Sequence, residues 1–212
     1  MKLLLTSAGI TNQSIADSLT MLVGKPPAAT KVVVIPTAEN VEAGNKDWFI
    51  GQFTNLRKFG FTWIDIVDPS ADGINWRSRL TEVDVVFVSG GNTFHLLNQV
   101  RKTGFGDWLK DAIDFKVYVG ASAGSIIMTP SIAIASVDDG DENLIGLKDL
   151  TGLRFVDFEV SPHTPEWVSY KANEEYAKSI TNKLYAIDDE TAIKIVYEAV
   201  EVISEGKWRE LR

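Results

Sequence analysis

The stretch Lys116-Val117-Tyr118-Val119-Gly120-Ala121-Ser122-Ala123-Gly124-Ser125-Ile126-Ile127-Met128 decides the fold. A continuously apolar run, 116–119, meets a cluster of small residues, and a second apolar run follows at once. A strand apolar at every position is covered on both faces, as in a parallel sheet. The glycines at 120 and 124 permit a sharp strand-to-helix turn, and Ser122 at its apex fits the G-x-S-x-G pattern. There the serine hydroxyl is presented at the carboxyl end of a strand, and the Ala123 N–H can face a developing oxyanion. The competing reading is a tight turn whose small residues serve packing or hold a phosphate.

Working outward, four more short runs read as buried strands: 3–6, 31–35, 62–67 and 83–88. Helical patterns separate them at 12–23, 46–59, 92–102 and 107–115. In the first, Ile15, Leu19 and Leu22 share one face; in the second, Trp48, Phe49, Phe53, Leu56 and Phe59 do, with Gly60 as a stop. This alternation predicts an α/β fold, a doubly wound, mostly parallel sheet flanked by helices. The last third changes character. A polar loop at 136–143 precedes a strand at 154–160 and a helix at 165–180. Strands at 183–187, 192–197 and 199–204 then follow closely, which predicts C-terminal antiparallel hairpins at one end of the sheet with Glu205-Gly206 as the final turn. No repeat or linker divides the chain, so a single domain over 1–212 is expected.

Composition narrows the chemistry. The 212 residues include no cysteine, which removes thiolate nucleophiles, disulfides and thiolate metal sites. A net charge of -8 argues against nucleic acid as a partner. No run approaches the roughly 20 apolar residues of a membrane span, and the short apolar start is no secretion signal, so a cytoplasmic chain without membrane contact is expected. Only His95 and His163 can supply an imidazole. His95 lies within a helical pattern. His163 follows the strand at 154–160 directly, between Pro162 and Pro165, and so sits at the sheet edge where ligands bind in open α/β folds. Gly90-Gly91 ends another strand, where the Gly91 N–H is a second candidate oxyanion donor and Asn92 a helix cap. For the acid that orients His163, Asp138, Asp139, Glu159 and the cluster Asp188-Asp189-Glu190 all remain open.

Taken in order, S-G-G-N-T-F at 89–94, G-A-S-A-G at 120–124 and S-P-H at 161–163 resemble the peptidase E family of serine peptidases, which includes aspartyl dipeptidases and cyanophycinase relatives. The resemblance runs over nearly the whole chain. It implies a class I glutamine amidotransferase-like fold and hydrolysis of a small peptide by Ser122 as nucleophile and His163 as base, without metal or cofactor. It also implies Gly91 and Ala123 as the oxyanion hole, with Asn92 and Thr93 in the substrate-binding block. The family's acid follows the serine by about fifteen positions, which here falls on Val137, next to Asp138 and Asp139; Asp138 is the expected third member. The family's dipeptidases carry an arginine-containing stretch after the histidine; here 166–175 reads E-W-V-S-Y-K-A-N-E-E, with Lys171 and no arginine. A lysine lacks the planar fork that grips a carboxylate, so aspartate specificity does not follow. Pairing with a second copy as a homodimer is left open.

Overall fold

The computed structural model describes residues 1–212. The first half alternates strand and helix: β1 (Lys2–Thr6), α1 (Gln13–Val23), β2 (Lys31–Ile35), α2 (Asp47–Lys58), β3 (Trp63–Ile66), α3 (Trp76–Leu80) and β4 (Val85–Val88). Two helices, α4 (Thr93–Thr103) and α5 (Phe105–Ala112), lead to β5 (Val117–Ala121) and the short α6 (Ala123–Ile126). The remainder comprises β6 (Glu159–Ser161), α7 (Tyr170–Ser179), β7 (Leu184–Ile187), β8 (Thr191–Val196), β9 (Ala199–Ser204) and β10 (Trp208–Leu211).

Seven strands form the main sheet in the order β3-β2-β4-β5-β1-β8-β9. The five from β3 to β1 are mutually parallel; β8 adds antiparallel to β1, and β9 antiparallel to β8. Alternate strand residues go to opposite faces. Leu3, Leu5, Val33, Ile35, Val86 and Val88 join the core beneath α3, α4, α5 and α6. Leu4, Val32, Val34, Val85, Phe87 and Val119 join the core beneath α1 and α2. The helices change face where the chain turns back at β3, as right-handed crossovers require. Each fully buried Leu, Ile or Val contributes about 1.5–3 kcal/mol, so both faces of this sheet are strongly determined.

The C-terminal third departs from the expectation in three ways. Only β8 and β9 form a hairpin on the main sheet; β7 leaves it and pairs parallel with β6 and antiparallel with β10, in a separate three-stranded sheet. The expected strand at 154–160 shortens to β6, because Phe155, Val156 and Phe158 pack against the core without a ladder partner. The expected helix at 165–180 begins only at Tyr170, capped by the Ser169 hydroxyl. Residues β10 and α3 have no counterpart in the sequence reading. No helix is long and apolar enough to cross a membrane.

Glycine placement sets the fit of α6. A Cβ on Gly124 would lie 2.2 Å from the Val88 carbonyl oxygen, and one on Gly120 would lie 2.6 Å from the Gly124 carbonyl carbon. Gly51, in contrast, has open space and lies within α2. Gly124→Ala is therefore expected to lose about 2–3 kcal/mol by forced displacement of backbone, while Gly51→Ala gains about 0.5–1 kcal/mol from helix propensity. Urea unfolding of the two variants beside the parent checks both signs.

Candidate active site

Ser122 occupies the junction of β5 and α6 with φ 49° and ψ -111°. A non-glycine residue held there is strained, which persists only where the surroundings over-determine it. Here they do. The Ser122 N–H donates to the Thr6 carbonyl at 3.1 Å, and its own carbonyl accepts from Ser125 and Ile126 at 2.8 and 3.0 Å. The Ser125 hydroxyl lies within 2.7 Å of Thr6 O and 2.9 Å of Gly120 O. With its backbone thus committed, Ser122 projects a hydroxyl that makes no hydrogen bond within the protein and faces a cavity of about 300 Å³. The Gly90-Gly91 turn packs against it: a Cβ on Gly90 would stand 3.2 Å from Ser122 Cβ. Gly91 itself, at φ 121°, lies so close to Ala38 that a Cβ would be 2.5 Å from its carbonyl. The N–H groups of Gly91 and Ala123 donate to no protein acceptor. A free N–H at the first position of α6 is expected of any helix start.

His163 reaches the same cavity from the second sheet. The parallel pairing of β6 with β7 aligns Ser161 with Ala186, so the segments that leave the two strands travel side by side. His163 follows β6 and Asp189 follows β7. His163 Nδ1 lies 2.7 Å from Asp189 Oδ1. Ser7, the residue that leaves β1, completes the arrangement. Its hydroxyl donates to the same Asp189 oxygen at 2.6 Å and accepts the His163 backbone N–H at 2.8 Å. Because a carboxylate only accepts, Nδ1 carries the proton and Nε2 is the free base. Burial raises the Asp189 carboxyl, but the His163 hydrogen bond and charge and the Ser7 hydroxyl outweigh it, leaving it below its ordinary range. The Trp167 indole lies over the imidazole, ring centres 4.3 Å apart.

Asp138, expected to orient His163, does not touch it. Its carboxylate accepts from the N–H and hydroxyl of Ser169, at 2.9 and 2.8 Å, and so secures the start of α7. The open alternatives divide cleanly. Asp139 is exposed. Glu159 is buried and takes the Tyr176 hydroxyl at 2.6 Å. Asp188 closes the turn after β7 by accepting from Glu190 and Thr191, and Glu190 accepts from Asn12. Asp189 alone meets the imidazole. Asn92 is also reassigned. Its Oδ1 caps α4 at His95 and its amide donates to the Glu142 carbonyl, so both ends serve the fold rather than a substrate. His95 stays in α4, where burial, against the pull of Asp68, lowers its pKa.

Thr93 remains at the site. Its N–H donates to Asp141 Oδ2 at 2.7 Å. Its hydroxyl stands beside that carboxylate but outside hydrogen-bonding geometry, and no other group partners it. Burial pushes the Asp141 carboxyl up, Thr93 opposes the shift, and the charge of Glu42 adds to it. The lining residues that were not foreseen include Ser7, Glu42, Trp48, Asp141, Glu166 and Trp167. Ser7 was within reach, since it leaves a central strand at the same edge as Ser122. Trp48 was placed on the buried face of its helix, yet it is 41% exposed because the cavity opens beside it. No group of three or more His, Asp or Glu side chains is arranged to hold a metal ion.

Comparison with known proteins follows the same lines. The model of peptidase family S51 matches residues 3–203. A peptidase of Listeria monocytogenes without established function is 33% identical over 178 residues, covering 77% of this chain and 81% of that one. A similar peptidase of Pasteurella multocida is 31% identical over 168 residues, covering 77% and 80%. Peptidase E of Streptomyces coelicolor is 36% identical over 87 residues, 41% of this chain and 34% of its own. Among solved structures, a candidate peptidase E protein from Listeria monocytogenes superposes with TM-score 0.81 at 25% identity, covering 97% and 98%.

Ser7→Ala removes one hydrogen bond from Asp189 and leaves the His163 N–H without its acceptor. The expected loss is about 1–3 kcal/mol of stability, read as a fall of several degrees in melting temperature. The lowered Asp189 carboxyl contributes stability that is present above its ordinary range near 3.8 and is lost as pH falls through its lower folded value. Asp189→Asn should therefore flatten the acid limb of stability, measured by urea unfolding from roughly pH 5 to pH 2.

Proposed function

The chain belongs to peptidase family S51 and is a serine peptidase, and from that premise we propose that it cleaves small peptides of dipeptide size with Ser122, His163 and Asp189 as its catalytic group. The observation that carries this reading is the 2.7 Å contact of His163 Nδ1 with Asp189 Oδ1, beside a strained serine whose hydroxyl is unengaged. Asp189 holds the imidazole in the tautomer whose Nε2 is free to take the Ser122 proton. The deprotonating Ser122 oxygen attacks the scissile carbonyl carbon. Negative charge develops on the carbonyl oxygen, for which the unengaged N–H groups of Gly91 and Ala123 are the available donors. Because α6 spans only four residues, these two N–H groups rather than a helix dipole are the relevant electrostatics. Protonated His163 then delivers its proton to the leaving amine, and the C–N bond breaks. A water repeats the steps on the acyl-enzyme and restores Ser122.

No hydrogen bond joins Ser122 to His163 in the free protein. Such contacts commonly tighten only when substrate fills the space between them. The cavity volume of about 300 Å³ suits a small peptide and is at the low end for ligand sites. Its turn-borne serine is, on this reading, a nucleophile elbow.

Kinetics on a dipeptide panel test the assignment. Ser122→Ala is expected to abolish turnover and to block labelling by a fluorophosphonate. Asp189→Asn should lower kcat/KM by roughly a hundred- to ten-thousandfold, whereas Asp138→Asn should stay within about twofold of the parent, because its carboxylate serves α7. Full activity in Ser122→Ala, or a greater loss in Asp138→Asn than in Asp189→Asn, would overturn it.

A further inference from the structure

The lining of the cavity carries a charge pattern that bears on what it binds. Four carboxylate residues face it, Glu42, Asp141, Glu166 and Asp189, and no lysine or arginine does. Asp189 is occupied by His163 and Ser7. The other three have no salt-bridge partner, and the only protein donors at Asp141 come from Thr93, its N–H at 2.7 Å with the hydroxyl beside it. Lys46, beside Trp48, is held by Glu39 at 2.6 Å and by the Glu42 carbonyl at 2.6 Å, so it does not neutralise the group.

A second, independent observation points the same way. A narrow crevice of about 30 Å³ opens from beside Ser122 and His163, walled by Ile126, Ile134 and Val168, with Thr93 and Asp141 as its further polar members. Thr93 is 1% exposed, and its hydroxyl has no partner. Buried hydroxyls are nearly always hydrogen-bonded, and leaving one unpaired is costly. A donor-rich head group entering the crevice would give Thr93 Oγ1 a hydrogen to accept and Asp141 a counter-charge. A cation with several N–H groups does both, and a lysyl or arginyl side chain brings one in addition to the α-ammonium that every dipeptide carries. Apolar walls and the Trp48 and Trp167 rings suit the methylene stem of such a side chain, and an indole face attracts its charged end. Lys46 Nζ already sits 5.9 Å from the centre of the Trp48 ring.

We propose that the residue whose carbonyl Ser122 attacks is basic, lysyl or arginyl, with its charged head between Asp141 and Thr93 and with Glu42 and Glu166 attracting it to the cavity. This names the substrate class of the site described above and rests on that reading. An aspartyl substrate would bring a like charge to three unpaired carboxylates, with no arginine to meet it.

Two measurements separate this proposal from the peptidase reading beneath it. In the first, kcat/KM is compared for Lys-Ala, Arg-Ala, Leu-Ala and Asp-Ala. The basic pair is expected to exceed Leu-Ala by about tenfold or more, with Asp-Ala lowest, and the advantage should shrink as salt screens the carboxylates. In Asp141→Asn and Glu42→Gln, the ratio of Lys-Ala to Leu-Ala should fall by about tenfold in the first variant and severalfold in the second. In the second measurement, argininamide and leucinamide are titrated calorimetrically into Ser122→Ala, which needs no turnover. Argininamide is expected to bind about tenfold tighter, and Asp141→Asn should remove the difference. Equal binding of the two amides, or Leu-Ala or Asp-Ala cleaved as fast as Lys-Ala, overturns the basic specificity while leaving a dipeptide-cleaving enzyme. Tight argininamide binding without hydrolysis of any dipeptide supports the cation site and overturns the dipeptide reading instead.

Discussion

The backbone of α6 crosses the ends of β4 and β5 with no room for one methyl group, and the placement of the Ser122 hydroxyl follows from that contact. Gly124 touches the Val88 carbonyl, and Gly120 touches Gly124 in turn. The chain must therefore reverse within one residue after β5. Ser122 takes up the reversal at a positive φ, a conformation that costs on the order of 1–3 kcal/mol. The hydrogen bonds from Ser122 and Ser125 to Thr6 then tie the turn to the end of β1. The ends of β1, β4 and β5 are thereby gathered around one turn, and a hydroxyl is left over at its apex with nothing in the protein to bind.

The second half of the site is built on different principles. His163 and Asp189 come from a small sheet, placed side by side because β6 and β7 run parallel. The Ser7 hydroxyl is the joint between the two sheets, donating to Asp189 and accepting from the backbone N–H of His163. The groups on one side are set by close packing, while those on the other are set by strand register and three short hydrogen bonds.

That division explains what could be read from the chain alone. The turn at 120–124 was legible because its requirement for small residues is local and because strands apolar at every position announce a doubly wound sheet. His163 was legible through scarcity, with one competing imidazole. The acid was not. Counting from Ser122 along the chain leads to Asp138, but that carboxylate is taken by the exposed start of α7, whereas Asp189 arrives through a strand pairing that no spacing records. The same limit applies to the C-terminal strands. Their apolar runs show that they are strands but not which sheet they join, and β7 and β8 part company over the three residues between them. Trp48 was misplaced because helical periodicity assigns a face, not what lies against it.

The acidic loop after α6 divides its polar groups between the scaffold and the cavity. Asp138 fastens the loop to α7, the Glu142 carbonyl fastens it to Asn92, and Asp141 faces the cavity. Asp141 also accepts the Thr93 N–H, so of the substitutions at 141 only one that keeps an acceptor there, such as asparagine, alters the charge in the cavity while every attachment persists. Among descendants of such a chain, selectivity could drift through this one position, with the hydrolytic apparatus and the scaffold inherited unchanged.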